Sequence, residues 1–565
     1  MIRKAALSLL AGLVLGTSAL QGLSTPAPHG TGGAVSSDDL PATRAGLAIL
    51  AAGGNAVDAA VATALALAVT FPEAGNLGGG GFAVVRMGGE VVTLDFREVA
   101  PGAATRDMYL GPDGEPIAEK SLVGGLAVGV PGSPAGLYEL HKRFGRLSFR
   151  QVVAPAVALA RGGFVVDENL AAQVTAEREL LARFPETAAV WLPNGKPVAA
   201  GTWLAFPDLA ATLEAYGERG PTAITTGPVA ERVVAVARRH GGILTTGDLA
   251  AYRPEWREPI RFSAFGWSWA SMDLPSSGGV ILGQVSQVLE KLGWAGEPRF
   301  GARRVHLMVE ALRGAFADRF RLGDPAVAEA ATADLLAPDW ITTRVGRIDR
   351  GRARDSREVD AIPPRPGREG TETTHLSVID RDGNAVALTT TLNDIFGSRV
   401  WVPGFGFLND EMDDFAARPG RPNDFGLVQG EANAVRPGRR MLSSMSPTLL
   451  WREDGELIAA GGRGGSRIPT HTLNVLLNLI VDGDPLQAAL DRPRVHHQWL
   501  PDEIQVEADA FAPETREALE KMGHRVAIKG RQARVNVVRR LADGTFEAGA
   551  DPKSPGGGGI VAPRR

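Results

Sequence analysis

The 565-residue chain contains no cysteine, which excludes disulfide bonds, thiol nucleophiles and thiolate metal sites together. With 44% hydrophobic residues it must rely on its core, and its length permits that. Histidine is scarce: there are nine, and none falls in an HExxH pattern. His496 and His497 are adjacent and cannot share one helix face, so they read as structural. No metal and no cofactor is called for. A strong charge of one sign is also lacking, since the formal net charge of −4 offers no basic footprint for nucleic acid. Long apolar runs are confined to the start, where Arg3 and Lys4 precede Ala5 to Leu15 and the small residues Gly16, Thr17, Ser18 and Ala19 follow. This reads as an export signal over about residues 1–25, too short for a span. The expectation is a periplasmic or secreted protein with no membrane span once the signal is removed.

Glycine is what the chain has in excess, with 70 residues clustered in loops. Residues 26–40 read as a flexible leader, and Ala42 to Val69 as a helical region broken at Gly53-Gly54-Asn55. The run Gly75 to Gly81 precedes a strand at Phe82–Val85; it lacks the GK[ST] of a phosphate loop, so a tight backbone turn is the better reading. Val91 to Phe96 forms a further strand, residues 130–260 alternate helices with Gly/Pro turns, and Val305 to Phe320 is helical. Residues 351–372, GRARDSREVDAIPPRPGREGTE, are charged and Pro/Gly-rich and read as an exposed linker.

Directly after that linker, Thr373 to Asp380 is a strand, Arg381-Asp382-Gly383-Asn384 a turn, and Ala385 to Leu392 a second strand. Opposed residues of an antiparallel pair have a constant sum of positions. A turn centred near Asp382 therefore sets Thr373 opposite Thr391, within about one residue. Two hydroxyls then face each other at the open end of the hairpin.

The stretches TTHLSVIDRDGNAVALTTTLNDIFG (373–397), NDEMDDF (409–415), MLSSMSPT (441–448) and GGRGGSRI (461–468) resemble the γ-glutamyltranspeptidase family. So do AGGNAVDAAVA (52–62), EAGNLGGGGF (73–82) and LDFREVAP (94–101), in the same order. The resemblance implies an α+β fold: a four-layer αββα N-terminal-nucleophile hydrolase sandwich, formed jointly by two subunits cut from one precursor. It implies cleavage between Glu372 and Thr373, giving a large subunit of residues 26–372 and a small one of 373–565 that pair as a heterodimer. It further implies γ-glutamyl compounds such as glutathione as substrates, with water, amino acids or peptides as acceptors.

Residue by residue, Thr373 is then the nucleophile, its freed α-amine the base, and Thr391 the partner that orients its hydroxyl. Gly464 and Gly465 match an oxyanion hole, although a plain glycine turn fits them too. Arg97 matches a carboxylate-binding arginine, the other reading being a surface pair with Glu98. Ser443 and Ser444 match hydroxyls that bond the same carboxylate, or else form a helix cap or a turn. Asn393, Glu411 and Asp414 stand where the substrate ammonium is bound, and Met412 and Phe415 between and beside the acids argue for partial burial. Three positions depart from the pattern: Arg463 replaces a proline, Glu411 a glutamine, and Phe425 a tyrosine in the lid-like stretch 418–435. Two other readings remain: a cephalosporin or glutaryl acylase of the same fold, and a non-catalytic periplasmic binding protein.

Overall fold

The computed structural model describes residues 26–562, apart from 118, 360–372, 424–425, 509, 531–532 and 553. The export signal, Glu372 and Phe425 lie outside the described residues. Two seven-stranded sheets dominate a mixed helix and sheet fold. The first runs, edge to edge, through Gly557–Ile560, Gly33–Ser37, Thr373–Asp380, Ala385–Thr391, Gly80–Met87, Glu90–Asp95 and Glu255–Arg257. The second runs through His29–Gly30, Phe546–Ala550, Arg534–Arg540, Leu457–Arg463, Thr448–Trp451, Trp267–Ser271 and Ile260–Ala264. Small apolar residues from both sheets, among them Ala34, Val84, Ala387, Ala459 and Val538, share one core, so the sheets lie face to face. The outer side of the first sheet is covered by Leu40–Ala51 and Ala56–Thr70, and that of the second by Gly278–Lys291, Ala302–Arg319 and Ile468–Ile480.

The central hairpin is fixed from its turn. Asp380 accepts bonds from the Asp382 and Asn384 amides on Oδ1, at 2.9 and 3.0 Å, and from the Ala56 amide on Oδ2 at 3.0 Å. One carboxylate thus shapes the turn and caps helix Ala56–Thr70, whose Asn55 and Asp58 also form a capping box. The resulting register pairs Thr373 with Thr391 and Ile379 with Ala385, as the turn placement predicts. Both sheet faces are covered, so these strands are buried throughout and show no polar alternation.

The glycine run earns its place by close approach. A Cβ on Gly79 would meet the Thr391 carbonyl at 2.0 Å, and one on Gly81 the Thr389 carbonyl at 2.2 Å. Two expectations are corrected. Residues 26–40 are not a flexible leader: Gly33–Ser37 is an interior, buried strand between Gly557–Ile560 and Thr373–Asp380. Nor is all of 351–372 a loose linker. The Ala353 amide bonds the Met522 carbonyl at 2.8 Å, Arg354 Nε bonds Glu310 at 2.6 Å, and the Ser356 amide bonds Asp502 at 2.8 Å. These partners lie far away in the chain, which is why local composition misread the segment.

Candidate active site at the open end of the hairpin

At the open end of the hairpin Thr373 Oγ1 donates to Thr391 Oγ1 across 3.4 Å, and both residues are buried. Thr391 Oγ1 also accepts the Asn393 amide at 2.7 Å. This holds Asn393 in the left-handed region (φ 81°), from which its side chain donates to the Asp410 carbonyl at 3.2 Å. Asn76, which sequence reasoning passed over, clamps the same corner. Its Nδ2 bonds Thr390 Oγ1 at 3.1 Å and the Thr391 carbonyl at 2.9 Å, while its Oδ1 accepts the Gly79 amide at 3.0 Å. An asparagine in a glycine run gave no signal of this by itself.

Around the two threonines lies a small cleft, lined by Arg97, Thr373, Thr391, Asn393, Asp414, Ser443, Ser444, Met445, Gly465 and Ile468. Eight of the ten lining residues are expected site residues; Met445 and Ile468, from the same motifs, are the apolar additions. Glu411 and Gly464 stand just behind this lining. Gly464 (φ 129°) and Gly465 (φ 55°) adopt backbone that favours glycine. They precede helix Ile468–Ile480, so their amides sit at its positive end. Ser443 is held by its backbone: its amide donates to the Pro275 carbonyl at 2.8 Å, and its carbonyl accepts Ser277. It caps no helix. Ser444 Oγ is buried and has no hydrogen-bond partner among the described residues.

Arg97 is 1% exposed, which discards the surface-pair reading. Its guanidinium contacts Asp414, lies 2.6 Å from Glu411 and 3.5 Å from Glu98. Burial alone would lower the basicity of Arg97, but Glu411, Asp414 and Glu98 together hold it above its ordinary value. The carboxyls respond the other way. Burial pushes Glu98 up to about 8 against the opposing pull of Arg97, and raises Glu411 and Asp414 as well. Three acids crowd one primary cation, and neither oxygen of Glu98 or Glu411 has a well-aligned hydrogen bond. Glu411 is fully buried, whereas Asp414 keeps 8% of its surface exposed toward the cleft, as the expected partial burial has it. Asn433 and Gln429 from the stretch 418–435 bond the Asp414 carbonyl at 2.7 and 3.1 Å, and Asn423 reaches its Oδ1 at 3.4 Å.

The replacements have local partners. Arg463 lies 3.7 Å from Asp38 and over the ring of Phe71 at 5.2 Å. Asp38 in turn accepts Thr374 Oγ1 at 3.0 Å, so Arg463 stands one step behind Thr374, the neighbour of Thr373. His375 is sealed between the sheets, bonded to Thr389 at 2.8 Å and Ser377 at 3.0 Å, and burial drives its pKa down to about 3. It is neutral and structural. His496 is likewise engaged, with Thr470 and Gln498. Among the described residues one group, His306, Glu310 and His524, has the side chains to hold a metal ion. There the imidazoles bond each other at 2.8 Å, and Glu310 is occupied by Arg313 and Arg354.

Comparison with known proteins agrees with this geometry. Residues 42–561 match the family described as gamma-glutamyltranspeptidase. A glutathione hydrolase proenzyme of Escherichia coli (strain K12) is 42% identical over 530 residues, covering 92% of this chain and 90% of that protein. Among solved structures, cephalosporin acylase from Bacillus halodurans superposes with a TM-score of 0.83 at 27% identity, over 98% of this chain and 100% of that one. A gamma-glutamyltranspeptidase from Pseudomonas nitroreducens gives 0.54 at 38% identity, over 57% of this chain and 96% of that one. By the extent of these matches, and with the motifs that build the cleft inside the matched region, the chain belongs to the gamma-glutamyltranspeptidase family.

Proposed function

We propose that this protein is a glutathione hydrolase and γ-glutamyl transferase, made as a proenzyme and cut between Glu372 and Thr373. The observation that carries the reading is the Thr373–Thr391 hydroxyl pair opening into the same cleft as Arg97, Asp414, Ser443, Ser444 and Gly465. The cut divides residues 26–372 from the 193 residues 373–565. Each part supplies strands to both sheets, so the two stay joined as the four-layer αββα sandwich of an N-terminal-nucleophile hydrolase.

In maturation the Thr373 hydroxyl attacks its own preceding carbonyl, shifts the acyl group from N to O, and water hydrolyses the ester. The freed α-amine has an ordinary pKa of about 7.7–8.0 and takes the hydroxyl proton near neutral pH. Thr373 Oγ1 then attacks the substrate's γ-carbonyl carbon, with Thr391 fixing its direction and the Gly464 and Gly465 amides stabilising the oxyanion. The leaving amine departs with the proton, and the ester on Thr373 is resolved by water, giving glutamate, or by an amino-acid or peptide amine, giving a new γ-glutamyl bond. Arg97, Ser443 and Ser444 hold the α-carboxylate; Asn393, Glu411 and Asp414 hold the α-ammonium. With the export signal at 1–25, the enzyme works in the periplasm or outside the cell.

The superposition on a cephalosporin acylase favours a second reading, acylase activity on glutaryl amides. A glutaryl chain has no ammonium, and the buried acids of this cleft would then have no counterpart. Two bands on a denaturing gel for the wild type, one for Thr373→Ala, test maturation. Release of p-nitroaniline from γ-glutamyl but not glutaryl p-nitroanilide, stimulated by glycylglycine, supports the transferase. A wild type that stays a single chain and cleaves neither anilide refutes it.

A further inference from the structure

Arg319, the last residue of helix Ala302–Arg319, is buried and is absorbed by none of the roles above. Its Nε donates to Ser277 Oγ at 3.0 Å. Ser277 in turn donates to the Ser443 carbonyl from both its hydroxyl, at 2.7 Å, and its amide, at 2.8 Å. The guanidinium therefore stands behind the turn that carries Ser443 and Ser444 into the cleft. Its buried Nη1 has no hydrogen-bond partner among the described residues, an expensive arrangement unless nearby negative charge compensates it. That charge is Asp414: its carboxyl raises the basicity of Arg319 while the Arg97 cation lowers it, and Arg319 in turn favours the ionised form of Asp414.

The consequence concerns the resting pocket. Arg97 contacts Asp414 and Glu411. A substrate carboxylate that takes over Arg97 weakens its hold on Asp414 at the moment when Asp414 must be ionised to meet the ammonium. A second cation that acts on Asp414 through space, while its own Nε is committed to Ser277, maintains that charge. It does so without occupying the carboxylate oxygens.

We infer that Arg319 is a positioning residue for the γ-glutamyl group, holding the Ser443–Ser444 turn through Ser277 and supplying the countercharge that keeps Asp414 free to bind the substrate ammonium. The inference rests on the γ-glutamyl reading of the cleft. It concerns binding of the donor and leaves the attack by Thr373 untouched.

The test compares wild type, R319Q, R319K and S277A with γ-glutamyl p-nitroanilide, after each has been checked on a gel for two chains. A wild type that cleaves no anilide counts against the γ-glutamyl reading itself. With an active wild type, R319Q is expected to raise KM at least tenfold with kcat within threefold. R319K, which restores the charge, and S277A, which loosens only the turn, are each expected to raise KM about threefold. A KM for R319Q within twofold of wild type overturns the inference, as does an R319K as impaired as R319Q, or a loss confined to kcat. Where R319Q does not mature, S277A decides: a threefold KM rise at constant kcat supports the inference, and an unchanged KM overturns it.

Discussion

Two buried ionic clusters, built from the same residue types, differ in how completely their charges are bonded. Around Arg97 three carboxyls share one guanidinium, and Glu98, Glu411 and the neighbouring Ser444 keep buried oxygens without hydrogen bonds. Around Arg313 the bonding is closed. Glu310 is held by Arg313 and by Arg354, and Asp502 takes Arg313, His497 at 3.2 Å and the Ser356 amide at 2.8 Å. The pKa directions follow: the cleft carboxyls are raised by burial, whereas Asp502 is lowered by its bonds to His497, Arg313 and Ser356 despite burial. Unsatisfied acceptors beside the proposed nucleophile suit a ligand that carries its own charges. Saturated ones suit a clasp, here between residues 353–359 and the region 497–524.

The largest break in that contrast comes from Arg97→Gln. Removing a charge-assisted contact that orients the substrate costs about 3–4 kcal/mol of transition-state binding, so kcat/KM for γ-glutamyl p-nitroanilide should fall by roughly 10²–10³. The melting temperature should hardly move, because the acids left behind can take up protons. A variant that loses stability in place of activity would make the Arg97 cluster structural.

Arg313→Gln should do the reverse. It strands Glu310 and Asp502 from a buried partner, a loss of about 3 kcal/mol, with KM and kcat of the matured enzyme within about twofold of wild type. Chemical denaturation followed by tryptophan fluorescence reads the first, and the anilide assay the second.

The pH dependence of stability separates the clusters by sign. Glu98 titrates at about 8 when folded against 4.5 as the ordinary value, so the folded state binds the extra proton and stability falls as pH rises through that window. His524, driven down to about 3 by burial from an ordinary 6.5, stays neutral when folded; its contribution is present above 6.5 and lost as pH falls toward 3. Glu98→Gln should therefore flatten the decline in melting temperature between pH 4.5 and about 8, and His524→Asn the decline as pH falls from 6.5 toward 3. Exchanged effects would dissolve the comparison.

How much of this the sequence disclosed follows from distance along the chain. The Thr373–Thr391 pairing was legible because one turn sets it: the signal at Arg381–Asn384 and eighteen residues of separation suffice. The cleft was legible only as motifs, since Arg97 and Asp414 are 317 positions apart and no local pattern joins them. The Arg313 clasp was not legible at all. Its pairing with Asp502 spans 189 positions and, with Arg354, it looks locally like ordinary surface charge. The buried strand Gly33–Ser37 escaped for a related reason, because small residues covered on both faces resemble a leader.

The smallest effect probes the rim between substrate and cover. Asn423 reaches Asp414 Oδ1 at 3.4 Å, a long bond from the stretch 418–435, whereas Asn433 bonds the Asp414 carbonyl at 2.7 Å. The first touches the side-chain oxygens proposed to meet an ammonium; the second fixes the backbone beneath them. Asn423→Ala should raise KM by about twofold to threefold, in line with a weak bond worth roughly 0.5 kcal/mol, at unchanged melting temperature. Asn433→Ala also frees the Leu442 amide, bonded at 2.9 Å, and should lower stability as well as affinity. If Asn423→Ala left KM unchanged while Asn433→Ala raised it without destabilisation, the backbone beneath Asp414 would be what tunes affinity. The stretch 418–435 would then be a support for the charged pocket and no part of its binding surface.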